Sequence, residues 1–231
     1  MEIKRKKFQG VLIILSYYIF QWSNILFFII VVAFVYGLLM PLIVSAYVYD
    51  FSGYYDFKWL KQFKNMDSEK TNIININAGF DETSFILKDN FPKSDLKVFD
   101  FYNSENHTEP AIIRARKVSL VYPNTKEIKS NTLPLGDNSI DLIFLLSAAH
   151  EIRLDEEKVQ FLKECKRICK PNGVVIMVEH LRDFPNFLAF SIGFTHFFSR
   201  KVWKSAFKSA GFSTFTETKF TPFMSIFNSV P

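Results

Sequence analysis

Asn72-Ile-Ile-Asn-Ile-Asn77-Ala78-Gly79-Phe80-Asp81 reads as a short apolar strand that stops in a glycine turn. A helix over about 82–90 is expected after it. Strand, turn and helix in that order open a parallel sheet with crossover helices, and the chain continues in the same alternation. Strands are expected at Leu96–Asp100, Glu127–Ser130, Asp141–Leu146 and Val174–Glu179, with helices at 109–117 and 155–170 between them. Pro171-Asn172-Gly173 is a helix stop. A helix over 200–210 ends at Gly211, and two closing strands, 213–220 and 223–230, flank Thr221-Pro222. Ligands of such sheets lie outside the carboxyl ends of the strands. There stand Gly79, where a backbone can approach a ligand beside a helix N-terminus, and Asp100, 21 residues further on. That is the spacing at which an acid takes ribose hydroxyls, so the pair points to a nucleoside-bearing cofactor.

The stretch Leu133-Pro-Leu-Gly-Asp-Asn-Ser-Ile-Asp141-Leu-Ile-Phe144 resembles the "LPF-x-DNSFD-x-V" segment of the class I S-adenosylmethionine-dependent methyltransferases. Ala148-Ala-His150-Glu-Ile is similar to their "alhH-i" segment. Glu164-Cys-Lys-Arg167-Ile-Cys-Lys170-Pro171-Asn172-Gly173 resembles "E-x-x-R-v-L-k-P-g-G". The resemblance covers about residues 70–231 and implies a Rossmann-like α/β sheet of seven strands in the order 3-2-1-4-5-7-6. It also implies S-adenosyl-L-methionine as cofactor, with Asn75, Asn77, Ala78, Gly79, Asp100, Asn131 and Ser147 at the cofactor-binding positions. The first motif departs from D-x-G-x-G-x-G, since Asn75-Ile-Asn77-Ala-Gly79 keeps only the middle glycine. Ser130 or Asn131 stands where an acid is usual. The resemblance also places His150 beside the transferred methyl.

Methyl transfer to a hydroxyl or ammonium needs a base, and histidine suits that at neutral pH. Three of the four histidines follow expected strand ends: His150, His180 and His196. These are the candidate catalytic residues, with His150 first and Glu151, Glu179 or Asp183 as orienting acids. His107 lies in a polar turn, in an Asn106-His107-Thr108 sequon. Cys165 and Cys169 read as small core residues on a helix rather than as metal ligands, and no metal is expected.

From Phe8 to Tyr49 the chain holds no Asp, Glu, Lys, Arg or His, a run of 42 residues. About 20 apolar residues cross a bilayer core. With Gln21, Ser23 and Asn24 interrupting it, the run reads as a transmembrane helical hairpin, 8–22 and 25–49, Pro41 bending the second helix. A single span and a signal peptide are the competing readings. Lys4-Arg5-Lys6-Lys7 marks the cytoplasmic side, and a cytosolic cofactor requires the catalytic domain there too, so the run is expected to enter and return. The organisation is thus 1–49 anchor, 50–69 aromatic juxtamembrane linker with an interfacial helix near Trp59–Lys64, and 70–231 catalytic domain.

The whole chain of 231 residues carries 28 Lys and Arg against 23 Asp and Glu, but residues 50–231 carry 24 against 22. That balance excludes a nucleic-acid-binding face. The expectation is a membrane-anchored methyltransferase at the cytoplasmic membrane acting on a lipophilic small molecule, with the aromatic stretch 184–198 as lid or entrance. The alternatives are an inactive methyltransferase-like scaffold that docks partner proteins, and a nicotinamide oxidoreductase, which the closing strand pair and Lys-Pro-Asn-Gly disfavour. The oligomeric state is left open.

Overall fold

The computed structural model describes residues 2–60, 71–103, 110–118 and 120–231, with side chains described outside 2–7 and 110–112. Seven strands form one sheet: β1 Asn72–Asn77, β2 Asp95–Asp100, β3 Lys126–Glu127, β4 Ile140–Leu146, β5 Cys169–His180, β6 Thr216–Lys219 and β7 Met224–Ser229. Their order is β3-β2-β1-β4-β5-β7-β6, as expected. β1 to β5 are parallel, and β7 inserts antiparallel between β5 and β6.

The helices are α1 Glu2–Phe20, α2 Asn24–Ala46, α3 Ser84–Asn90, α4 Pro110–Arg116, α5 Asp155–Ile168, α6 Phe184–Phe190 and α7 Arg200–Ser209. Because strand side chains alternate between faces, the central strands feed two cores. Ile74, Ile76, Ile143, Leu145, Val175 and Met177 pack with Phe161 and Leu162 of α5 and Trp203 and Phe207 of α7. Ile73, Leu142, Phe144, Ile176 and Val178 pack on the other face with Leu87, Phe91 and Ala189.

The closing strands are shorter than the sequence reading, and β5 and β3 differ from it in ways that matter for the site. Helix α5 ends at Ile168, and β5 starts immediately, running through Pro171-Asn172-Gly173 instead of turning there. The β4–β5 register shifts between Ile140 and Leu142 to absorb the extra length. Gly173 is required at that irregularity, since a Cβ would sit 2.7 Å from Cys169 Sγ and 2.9 Å from two backbone carbonyls of β4. β3 is only two residues, paired to Phe99 and Asp100, so positions 130 and 131 lie past its end. The expected interfacial helix runs into residues 61–70, and His107 with its sequon lies in 104–109, both outside the described residues.

Ser23 caps α2 by accepting from the Leu26 N–H. α1 and α2 lie antiparallel: Gly10 faces Phe34, and the Tyr17 and Phe27 rings are 4.5 Å apart. Among the described residues, Asn24–Phe51 is the one helix long and apolar enough to cross a membrane. The apolar part of α1, Phe8–Phe20, is about 20 Å long against a core of ~30 Å. It falls short of a span by itself.

The aromatic strip packs largely into the domain. A π-helical turn, Tyr47–Phe51, ends the long helix. Val44, Val48, Tyr54, Phe57, Trp59 and Leu60 are then buried in the same core as Ile73, Leu87 and Phe91. Burying several large side chains at roughly 1.5–3 kcal/mol each fastens the long helix to the sheet. The domain's core therefore begins near Val44 rather than at residue 70.

Candidate active site at the carboxyl ends of the strands

The carboxyl ends of β1, β4 and β5 open into a cavity of about 820 Å³. Ala78, Ser147, His150, Glu151 and His180 come from the strand ends, Glu82 and Thr83 from the approach to α3, and Phe190 and Phe197 from the aromatic stretch after β5. The remaining wall is N-terminal: Leu42, Ser45, Ala46, Tyr49 and Asp50 of the long helix, with Tyr54 and Tyr55 of the strip. Asn77, Gly79, Asp81, Asp100 and Arg116 line a smaller recess of about 170 Å³ beyond β1. A groove of about 580 Å³ between α5 and α7 lies away from all strand ends and presents mainly Lys, Glu, Ser and Val.

The glycine turn is held by its own acid. Asp100 Oδ1 accepts from the Gly79 and Tyr102 N–H groups (2.7 and 2.8 Å), and Oδ2 takes Arg116 at 2.8 Å. Arg116 stacks on Tyr102, 4.1 Å from the ring centre, and donates to the Gly79 carbonyl. Gly79 has φ +91, and a Cβ there would lie 2.6 Å from the Tyr102 ring. Only glycine fits. Asn75 is fully buried, and its amide donates to Thr83 Oγ1 and Ser84 Oγ, both at 2.9 Å. It ties β1 to α3 and lines neither cavity. Asn131 is exposed, bonded to neighbouring Thr132, and also lines neither; the early end of β3 puts it in a turn. Asn77, Ala78, Gly79, Asp100 and Ser147 do meet at the two cavities.

The three histidines sit in different states. His180 ends β5 and is buried. Its Nδ1 is 2.9 Å from the Phe223 carbonyl, which only accepts, so Nδ1 carries the proton and Nε2 holds a lone pair. That Nε2 lies 3.3 Å from the Tyr49 hydroxyl. Burial pushes its pKa below the ordinary value, outweighing its hydrogen bonds to Phe223 and Asn186. His150 is the opposite. Burial disfavours its charge, but Glu179 at Nδ1 (2.7 Å) and Glu151 at Nε2 (3.2 Å) prevail and raise it to about 10. The two carboxylates thus favour the charged form of His150, so its Nε2 offers a lone pair only after giving up a proton. His196 lies 3.6 Å from the same Glu151 oxygen, its ring centre 5.2 Å from that of His150. Glu151 and Glu179 orient His150 as expected, whereas Asp183 caps α6 and pairs with Lys219.

Sequence reading missed Tyr49, Tyr54, Tyr55, Glu82 and Arg116. Tyr55 donates to Glu82, whose pKa is raised chiefly by burial. The motif resemblance is explained by geometry: Glu164 accepts from the Leu133 N–H at 3.0 Å, and Arg167 bonds Glu164, Asp137 and the Leu133 and Leu135 carbonyls. The two residues clamp the loop that aims β4.

Residues 93–177 match the family model described as methyltransferase domain. Over those residues the chain is similar to a methyltransferase domain. Solved structures agree on the fold. An S-adenosylmethionine-dependent methyltransferase from Aquifex aeolicus aligns with TM-score 0.52 at 18% identity, over 82% of this chain and 97% of that one. One from Leishmania major gives 0.52 at 16%, over 79% and 74%. A Nostoc punctiforme protein with a provisional O-methyltransferase assignment gives 0.53 at 16%, over 74% of this chain but only 55% of its own. No curated protein matches the chain in sequence. The end of β1 has features that fit a bound polar group. Asn77 Nδ2 and Asp81 Oδ2, of two residues that line the smaller recess, are buried without a hydrogen-bond partner, a costly state that a bound polar group relieves.

Proposed function

We propose that the protein is a membrane-anchored methyltransferase that uses S-adenosyl-L-methionine to methylate a lipophilic acceptor reaching the cavity from the bilayer side. One observation carries this reading: the cavity wall is continuous with the apolar helix Asn24–Phe51, from Leu42 to Asp50. Most of that helix exposes Ile, Leu and Phe side chains, a surface suited to lipid rather than water. Phe184, Phe187 and Ile192 extend the exposed apolar surface next to it, and the Tyr36 hydroxyl donates to the Leu188 carbonyl at 2.7 Å. An acceptor dissolved in the bilayer would pass from lipid to cavity without crossing water. In this reading α1 enters from the cytoplasmic face, and the span Asn24–Phe51 returns the chain to that face, where the catalytic domain sits.

Asn77, Ala78 and Gly79 would hold the cofactor's amino-acid portion, and Asp100 its ribose, after Arg116 moves off. When bound, the cofactor supplies an electrophilic methyl on a sulfonium. Excluding water and aligning the acceptor fall to Tyr49, Tyr54, Phe190 and Phe197. The base is His180, neutral at pH 7, with its Nε2 lone pair directed at Tyr49; the acceptor's proton passes to Nε2, directly or through the Tyr49 hydroxyl.

A second reading, a cofactor-free scaffold, is favoured by the Arg116–Asp100 pair and by Tyr102 over Gly79. Titration of the full chain in detergent micelles with S-adenosyl-L-methionine separates the two. Saturable binding at or below millimolar cofactor supports the enzyme, and none at that concentration leaves the scaffold.

A further inference from the structure

His150, Glu151 and His196 converge at the edge of the cavity. Among the described residues they are a group whose ligand atoms, two imidazole nitrogens and a carboxylate oxygen, lie within 4.8 Å of one another. His150 Nε2 and His196 Nε2 stand 3.2 and 3.6 Å from the same Glu151 Oε1. Ligand atoms bonded to one tetrahedral zinc at 2.0–2.2 Å are roughly 3.4 Å apart, so these two spacings have the right size. The surroundings are built to match. Glu179, 1% exposed, bonds His150 Nδ1 at 2.7 Å and so turns Nε2 inward, the carboxylate–histidine support found behind metal-ligating histidines. Arg153 donates to the His150 and His196 backbone carbonyls at 3.0 and 2.7 Å, pinning together two loops separated by 43 residues in sequence while its charge bonds backbone oxygens. His150 and Glu151 border the large cavity.

We propose that His150, Glu151 and His196 form a binding site for a divalent cation of the zinc class, positioned by Glu179 and Arg153. Two histidines and one carboxylate leave at least one coordination position open. At the edge of the cavity that position is available to an oxygen of the acceptor. Cation binding itself is independent of methyl transfer.

The test uses the full chain in detergent micelles, stripped with chelator and titrated with zinc chloride. One equivalent bound per chain, with micromolar or tighter affinity, is expected. His196→Ala and Glu151→Gln should weaken it at least tenfold, and Glu179→Gln by 10- to 100-fold. Because a variant may misfold, the unaltered chain is also treated with diethyl pyrocarbonate and its histidines read by mass spectrometry. Zinc should protect His196, while His107 remains as reactive as before. Substoichiometric zinc, undiminished binding by folded His196→Ala, or unchanged His196 reactivity at saturating zinc overturns the site. Cofactor titration of the same preparation reports on the methyltransferase reading separately.

Discussion

The Tyr49 hydroxyl, at the end of the long apolar helix, lies 3.3 Å from Nε2 of His180, at the end of the central strand β5. The two residues are 131 positions apart, and their contact joins the long apolar helix to the cavity at the strand ends. His180 is also enclosed by aromatic rings, stacked on Phe197 at 5.0 Å and edge-on to Phe190.

The sign of the pH dependence follows from the lowered pKa of His180. The base works while neutral, so turnover should be flat above about pH 6.5, its ordinary value, and fall as pH drops through the depressed value. The same shift contributes stability present above about pH 6.5 and lost as pH falls toward the folded-state pKa. His180→Gln should lower turnover by about 10²–10⁴-fold and remove that acidic limb. A pH–rate profile of both proteins checks this.

Gly79→Ala should abolish cofactor binding and cost about 1–2 kcal/mol of stability, because the left-handed backbone at φ +91 and the Tyr102 ring both oppose a Cβ. Cofactor titration and denaturant unfolding in micelles measure the two effects.

Arg116→Ala should tighten cofactor binding by about two- to fivefold. The partly exposed ion pair with Asp100 must open for the acid to meet ribose, and breaking such a pair costs on the order of 1 kcal/mol. Weaker binding in the variant would mean that Arg116 contacts the cofactor instead of blocking it.

Arg167→Ala should destabilise the domain by about 2–3 kcal/mol, since charge-assisted bonds to Glu164 and to the Leu133 and Leu135 carbonyls are lost together. Arg167→Lys should recover only part, lacking the planar fork. Thermal unfolding of the full chain reads both.

The order of the strands was legible because its signals are local. The strand–glycine–helix pattern at Asn72–Asp81 and the Glu164–Arg167 clamp on Leu133–Asp137 lie within short, ordered segments. Partners brought together by folding were not. Glu179 reaches His150 across 29 residues and favours its charged form, while Phe223, 43 residues from His180, fixes the His180 tautomer. The strip Tyr54–Leu60 has the composition of a membrane-interface belt, and only its docking beside α3 reveals it as core. Asn131 failed because a two-residue β3 leaves it past the strand, and Asn75 because two hydroxyls of the next helix hold its amide.

Methyl transfer into lipid tests the central claim most directly. The full chain, reconstituted in vesicles of lipid extract from its own cells, is supplied with S-adenosyl-L-methionine labelled on the methyl group, and the solvent-extracted lipid phase is counted and weighed by mass spectrometry. Label in that phase is expected, on a species heavier by about 14 Da (one CH₂, the gain when methyl replaces hydrogen), absent with Gly79→Ala and much reduced with His180→Gln. Saturable cofactor binding with label confined to water-soluble or protein fractions, or no transfer at all, would contradict it.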